Sequence, residues 1–148
     1  MTGELADGLR RFELDVQACL PPLQAYAGLL QRYNFRYRLI ADLERLTTHH
    51  LLDSLAGLGT VRDHAVAGRV VDIGSGAGLP GVPLMLAAPE LQVTLVERSA
   101  RRARFLRLVV NELGLGDRCR VIERNLERLS PSDAPADHDL LVCRAVAG

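Results

Sequence analysis

The sequence contains no lysine, so all of its 18 basic side chains are arginines. Chemistry that needs a lysine, either as a Schiff base or as a general base, is therefore excluded. Arginine favours contacts with phosphate groups, although biased codon usage explains the missing lysine at least as well. The 18 acidic residues balance the arginines, so the composition predicts no global attraction to nucleic acid or to a membrane.

Cysteine is scarce, and long apolar runs are absent. The three cysteines, Cys19, Cys119 and Cys143, are widely spaced and form no CxxC pair, which indicates neither a disulfide framework nor a metal site. No apolar run reaches the length of a membrane span, and the N-terminus lacks the basic and then apolar order of a signal peptide. We therefore expect a cytoplasmic protein with reduced cysteines, no metal ion and no membrane partner.

The length of 148 residues, 48% of them hydrophobic, suffices for a globular fold with a buried core. Up to about Leu58, apolar side chains recur at helical spacing and predict two or three helices. From Arg69 onward, short apolar runs alternate with helical stretches. We therefore expect an N-terminal helical segment, residues 1–66, packing on a core formed by residues 67–148.

Within this core, four short runs are typical of strands: Val70–Ile73, Val93–Val96, Arg120–Ile122 and Leu140–Cys143. Three helical stretches separate them: Pro80–Ala88, Ala100–Leu113 and a short one near Leu126–Leu129. This alternation predicts an α/β fold with a parallel sheet, right-handed crossovers and helices on both faces. A ligand would then bind beyond the carboxyl ends of the strands.

The last predicted strand, Leu140–Cys143, lies five residues from the end of the sequence. A four-stranded sheet would leave it as a bare edge with an apolar face on each side, which folded proteins normally cover or blunt. We therefore expect either that C-terminal strands are missing from this chain or that a partner covers this edge. The same edge predicts association of the chain, or fraying of the strand.

A glycine-rich turn follows the first predicted strand and precedes a helix opened by a proline. Glycines allow the backbone to approach a ligand closely, and the helix N-terminus offers free N–H groups. The turn has the acid-x-Gly-x-Gly-x-Gly pattern of S-adenosylmethionine-dependent methyltransferases, formed by Asp72, Gly74, Gly76 and Gly78. Counted from Gly74, a dinucleotide fingerprint would place its third glycine at Leu79. The pattern thus favours S-adenosylmethionine over NAD, and a turn without any ligand is the weaker alternative.

The second predicted strand ends in an acid, Glu97. Its carboxylate would lie beside the same crevice and could accept hydrogen bonds from both hydroxyls of a ribose. Either NAD or S-adenosylmethionine would supply that ribose. The alternative is a glutamate that caps a helix or faces solvent.

Four segments carry more specific motifs: His50–Ser54, Gly74–Leu84 with its Leu-Pro-Gly continuation, Arg101–Leu106 and Cys143–Ala145. Together they resemble the family of small-subunit ribosomal RNA methyltransferase G, also called glucose-inhibited division protein B, from about Leu29 to the end of the chain. The resemblance implies a Rossmann-like class I methyltransferase fold with S-adenosylmethionine as cofactor. It also implies cofactor contacts at Gly74, Leu79, Leu126 and Glu127, with Arg144 near the ligand.

The resemblance further implies methylation at N7 of a guanine in 16S ribosomal RNA, with that RNA or the small ribosomal subunit as partner. N7 carries a lone pair and no proton, so the reaction needs no general base. The four histidines, His49, His50, His64 and His138, are not spaced as ligands or relays, and we interpret them as structural or exposed. No catalytic base is assigned.

An RNA contact would come from a local surplus of arginine, since nine arginines and five acids lie between Glu97 and Arg128. Arg101, Arg102 and Arg104 on one predicted helix are the candidates for phosphate contacts, and a solvated helix face is an equal alternative. Two other functions stay open: a shortened, catalytically silent module that binds cofactor or RNA, and a nicotinamide-dependent oxidoreductase.

Overall fold

The computed structural model describes residues 1–128 and 137–144. Its centre is a four-stranded parallel sheet with the strand order β3-β2-β1-β4. The strands are β1 (Arg69–Ile73), β2 (Gln92–Glu97), β3 (Cys119–Glu123) and β4 (Leu140–Cys143). Each lies within one residue of its predicted bounds at either end, and the predicted parallel α/β sheet is confirmed.

Helices occupy most of the remaining described residues. They are α1 (Thr2–Arg11), α2 (Val16–Tyr37), α3 (Asp53–Ala56), α4 (Leu58–His64), α5 (Gly81–Ala87) and α6 (Ala100–Glu112). A 3-10 turn (Leu43–Arg45) and a π-helix (Leu46–Leu52) connect α2 to α3. A further 3-10 turn, Leu126–Arg128, follows β3, and the predicted end of that helix at Leu129 lies outside the described residues. None of the described helices is both long enough and apolar enough to cross a membrane.

Helix α2 ties the N-terminal segment to the sheet. It begins where the Asp15 carboxylate accepts hydrogen bonds from the N–H groups of Gln17 and Ala18, at 2.9 and 3.1 Å. Its inner face packs against α5 and α6 and is fully buried at Leu23, Tyr26, Ala27 and Leu30. These side chains share one hydrophobic cluster with residues of the sheet. A domain boundary at residue 66 stays a prediction.

The described α-helices all bury side chains in this same cluster, which contacts the sheet face that carries Val70, Val93 and Leu95. The opposite face carries a small separate cluster around Val71, Val96 and Ile122. The described α-helices thus cover one face, and the predicted helices on the opposite face stay a prediction. The reason for the one covered face is topological: the two crossovers β1-α5-β2-α6-β3 step in one direction, and right-handed crossovers in one direction place their helices on one face.

Strand β4 lies at an edge of the sheet, beside β1, as predicted. Its start is anchored by the Asp139 carboxylate, which accepts hydrogen bonds from the backbone N–H groups of Ala67 and Arg69, both at 2.9 Å. The Arg69 side chain adds an ion pair with Asp139 at 3.2 Å. Leu141 on this strand is 56% exposed. Association through the edge stays a prediction.

Candidate functional site

The loop between β1 and α5 is built from glycines in left-handed conformations. Gly74, Gly76 and Gly78 have φ angles of 69°, 57° and 99°, a region that other residues rarely adopt. The N–H groups of Gly74 and Ser75 both donate to the carbonyl of Val96, at 2.8 and 3.0 Å. The loop is therefore fixed to the carboxyl end of β2, where a parallel sheet binds its ligands.

Glu97, the last residue of β2, holds this loop through its carboxylate. Its side chain is 4% exposed, and one carboxylate oxygen accepts a 2.7 Å hydrogen bond from the N–H of Gly76. The other oxygen accepts a 2.8 Å hydrogen bond from the N–H of Ser99, directly before α6. A carboxylate has about four acceptor positions, so two remain for a ligand. A contact between Glu97 and a ribose stays a prediction.

Asp72 lies beneath the loop and is completely buried. Its Oδ2 accepts a 2.9 Å hydrogen bond from the N–H of Gly81, and its Oδ1 has no hydrogen-bond partner in the described part of the chain. Burial raises the pKa of Asp72 to about 7, against the opposing effect of the Gly81 hydrogen bond, and the nearby Glu97 charge adds to the rise. A Cβ on Gly81 would lie 2.7 Å from Oδ2, so only glycine admits this contact. Asp72 thus holds α5 to β1, and its direct contact with a cofactor stays a prediction.

Gly78 faces the helices. A Cβ there would lie 2.7 Å from Cγ2 of Val82 and 3.1 Å from the hydroxyl of Tyr26. Tyr26 is completely buried, and its hydroxyl donates a 2.7 Å hydrogen bond to the carbonyl of Ala77. Burial raises the pKa of Tyr26 well above its usual range, so the hydroxyl keeps the proton that it donates. The sequence showed Tyr26 only as one apolar position of a helix, and its role in holding the loop was missed.

An open cleft of about 260 Å³ lies in front of the loop. It brings together five predicted site residues, namely Gly74, Gly76, Leu79, Arg102 and Arg144. Further walls come from Ser75 and Ala77 of the loop, from Leu39 and Ile40 after α2, and from His50. Asp72, Gly78 and Glu97 are not among the lining residues, although the Glu97 carboxylate contacts the N–H of Gly76, which is one of them.

His50 was interpreted as structural or exposed, yet it lines this cleft. It belongs to the π-helix, a rare conformation that often marks functional sites. Its Nε2 is buried without a hydrogen-bond partner among the described residues. Burial lowers the pKa of His50, and the positive charge of Arg144 lowers it further, which favours the neutral ring. The signal that could have found it was the His50–Ser54 motif itself.

Arg144 follows β4 and joins the strand to the π-helix. Its guanidinium donates a hydrogen bond to the carbonyl of His49 and lies 3.3 Å from Oδ2 of Asp53. The opposite wall is held by Asn34, whose side-chain amide exchanges two 2.9 Å hydrogen bonds with the backbone of Ile40. Arg102 reaches across from α6 and donates to the carbonyl of Arg38 at 3.4 Å.

The remaining predicted residues lie outside the cleft lining. Arg101 and Arg104 are exposed on α6, and Arg102 on the same helix is the one of the three that lines the cleft. Glu127 is exposed, and the N–H of Glu127 contacts the Asn125 side chain at 3.4 Å. Cofactor contacts of Leu126 and Glu127 and RNA contacts of the arginines stay predictions. In residues 1–128 and 137–144, no three His, Cys, Asp or Glu side chains converge to hold a metal ion.

Comparison with known proteins identifies the family. The family described as rRNA small subunit methyltransferase G matches residues 20–148. The chain belongs to this family. It is 46% identical over 144 residues to the ribosomal RNA small subunit methyltransferase G of Stenotrophomonas maltophilia (strain R551-3), an alignment that covers 96% of the chain. The protein of the same name from Xanthomonas campestris pv. campestris (strain B100) is 42% identical over 148 residues, 99% of the chain. The predicted family resemblance is confirmed.

The chain spans 64% and 66% of the lengths of these two members of the rRNA small subunit methyltransferase G family. Among solved structures, it is similar to the SAH-bound Podospora anserina methyltransferase PaMTH1, with a TM-score of 0.58 and 19% identity. That likeness covers 83% of this chain and 56% of the other. The predicted fold, a Rossmann-like class I methyltransferase with flanking helices, is confirmed.

Proposed function

We propose that this chain carries the S-adenosylmethionine site of an enzyme that methylates N7 of a guanine in 16S ribosomal RNA. One observation carries the proposal: the left-handed Gly74 and Gly76 line a cleft at the carboxyl ends of the strands, and the buried Glu97 carboxylate accepts a hydrogen bond from the N–H of Gly76. Membership of the rRNA small subunit methyltransferase G family supports both the cofactor and the class of substrate.

The residues of the cleft fit S-adenosylmethionine. A Cβ on Gly76 would meet only the Gly74 carbonyl, at 3.9 Å, so the space in front of this backbone is open for a ligand. Gly74 and Gly76 would contact the cofactor through their backbone, and Leu79 through apolar surface. Glu97 would accept hydrogen bonds from the ribose hydroxyls with its two remaining acceptor positions. The bound cofactor would supply the electrophilic methyl group.

Methyl transfer to guanine N7 requires no acid or base from the protein. The lone pair of N7 lies in the plane of the base and carries no proton, so no side chain has to remove one. The cleft would need to align the base with the methyl group and to exclude water, which are positioning effects. His50 and Arg144 face the same cleft and are placed to contact the incoming base or its phosphate.

The proposed partner is 16S ribosomal RNA or the small ribosomal subunit that contains it, in the cytoplasm. Arg102 at the cleft, with Arg101 and Arg104 exposed on the same helix, supports contacts with phosphates. Cys19 and Cys119 are buried free thiols, which is consistent with a reducing compartment.

Methyl transfer tests the proposal. Small ribosomal subunits that lack the modification are incubated with the chain and S-adenosylmethionine labelled in the methyl group. We expect label in 16S RNA at one guanine, in a form that mild alkali and aniline cleave as expected for N7 methylation. Label on another atom, or label only in protein, would contradict the proposed reaction.

A further inference from the structure

Phe35 in the last turn of α2 is 99% exposed, although the aromatic residues around it are partly or fully buried. Single exposed apolar side chains are common on protein surfaces, so the surroundings decide whether this one matters. On the inner side of the helix, Tyr33 and Tyr37 pack against Phe105 of α6. Phe35 points away from that contact and has a free ring face.

Three exposed arginines lie close to Phe35 along the chain. Arg32 precedes Phe35 by three residues, which places the two side chains side by side on the helix, and Arg36 and Arg38 follow closely. The guanidinium groups of Arg32 and Arg36 lie 5.4 and 5.6 Å from the ring centroids of Tyr33 and Tyr37. The sequence contains no acid between Asp15 and Asp42, so this part of the chain contributes only basic charge to the patch formed by Phe35 and these arginines.

The patch leads directly to the cleft. The carbonyl of Arg38 accepts the hydrogen bond from Arg102, and the two residues that follow it, Leu39 and Ile40, form a wall of the cleft. A polymer lying across Phe35 would therefore continue into the site where the glycine loop is exposed.

We propose that Phe35, Arg32, Arg36 and Arg38 form a docking surface for single-stranded RNA, with an unpaired base stacked on the Phe35 ring and the arginines on its phosphates. The inference rests on the proposed function, because it takes RNA as the substrate. Exposed aromatic rings beside arginines are how proteins hold unpaired bases. A protein partner fits the patch less well, since the centres of protein interfaces are depleted in charge.

Fluorescence anisotropy with a labelled single-stranded RNA of about 12 nucleotides tests this surface. We expect Phe35→Ala to weaken binding about tenfold, because one base–aromatic stack is lost, and Phe35→Tyr to bind like the parent. Phe12→Ala is the matched control: Phe12 is also exposed and follows two arginines, but Arg10 beside it is paired with Asp7 at 2.7 Å. That variant should bind RNA like the parent.

The salt dependence of RNA affinity distinguishes the contribution of the arginines from that of the Phe35 ring. Arg32→Gln should lower the slope of log affinity against log salt by about 0.7, the value for one phosphate contact on a single strand, while Phe35→Ala should leave the slope unchanged. Melting temperatures of all variants show whether each one is folded. An RNA affinity that Phe35→Ala leaves unchanged would overturn the proposal. Self-association that Phe35→Ala abolishes without any change in RNA affinity would do the same, since a second copy would then occupy the patch.

Cofactor titrations of the same variants distinguish a failure of the docking surface from a failure of the proposed function. A chain that binds RNA through Phe35 but does not bind S-adenosylmethionine contradicts only the proposed function. A chain that binds the cofactor but binds RNA equally well without the Phe35 ring contradicts only the docking surface.

Discussion

The hydroxyl of Tyr26 in α2 donates a 2.7 Å hydrogen bond to the backbone carbonyl of Ala77 in the glycine loop. The N-terminal helices therefore do more than cover the sheet: they fix the loop that lines the cleft. The Glu97 carboxylate at the end of β2 holds the same loop by accepting a hydrogen bond from the N–H of Gly76. The conformation of the loop thus depends on two buried side chains from different parts of the chain.

Removing the Tyr26 hydroxyl should loosen the loop. In Tyr26→Phe the Ala77 carbonyl loses its partner, and an unsatisfied buried acceptor costs about 1–3 kcal/mol of unfolding free energy. We expect a lower melting temperature and weaker cofactor binding than in the parent. Tyr33→Phe is the control, because it removes a hydroxyl from the same helix at a ring that packs against Phe105. Equal cofactor affinity in both variants would show that Tyr26 does not position the loop.

Gly76 and Gly114 offer a matched pair of left-handed glycines. Their φ angles are 57° and 64°, so alanine at either position should cost about 1 kcal/mol of stability. A Cβ on Gly114 meets nothing within 4 Å, whereas a Cβ on Gly76 projects toward the cleft. We expect both alanine variants to melt at similarly reduced temperatures, and only Gly76→Ala to lose cofactor affinity. The larger change Gly76→Val should abolish cofactor binding, and if it binds normally, the loop does not cradle the ligand.

The buried carboxyl of Asp72 should make stability depend on pH. Burial raises its pKa from 3.8 to about 7, so the folded state retains a proton that the unfolded state releases. The free energy of unfolding should therefore fall as pH rises from about 4 to about 7, by at most about 4 kcal/mol, since one pKa unit corresponds to about 1.4 kcal/mol.

Urea unfolding of the parent and of Asp72→Asn across this pH range measures that effect. The variant has no carboxyl to titrate, so the difference between the two unfolding free energies should change with pH as stated. Asp63→Asn, at an exposed position of α4, is the control for removing one carboxyl group from the chain. A constant difference between parent and Asp72→Asn would show that Asp72 titrates as an ordinary aspartate.

Local patterns were sufficient to predict the strands and the loop. Alternation of apolar runs with helical stretches located β1 to β4 within one residue, because each apolar run is bounded by turn residues. The spacing of Gly74, Gly76 and Gly78 predicted a tight loop, since left-handed conformations at every second residue favour glycine at those positions. Only the family resemblance predicted that Arg144, the residue after β4, lies near the cofactor site.

Tertiary contacts could not be predicted from such local sequence patterns. Tyr26 and Asn34 bond to segments far along the chain or across a turn, and His50 lines the cleft. No sequence periodicity predicts these contacts. The sequence also did not show which glycines face the cleft. Gly78 supports the loop from the helix side because its α-carbon lies against Val82 and Tyr26, a packing that only the folded chain defines.

Calorimetric titration tests the central claim most directly, because it measures whether the cleft holds S-adenosylmethionine before any RNA is involved. The chain is titrated with the demethylated product, S-adenosylhomocysteine, and separately with NAD. The same two titrations are made with the variants Glu97→Ala and Glu90→Ala. Glu90 is an exposed acid that pairs with Arg62, away from the cleft. We predict saturable binding of S-adenosylhomocysteine by the parent and by Glu90→Ala, at least about tenfold weaker binding by Glu97→Ala and no binding of NAD. Saturable binding of NAD without binding of S-adenosylhomocysteine, or equal affinity in Glu97→Ala and the parent, would contradict the account.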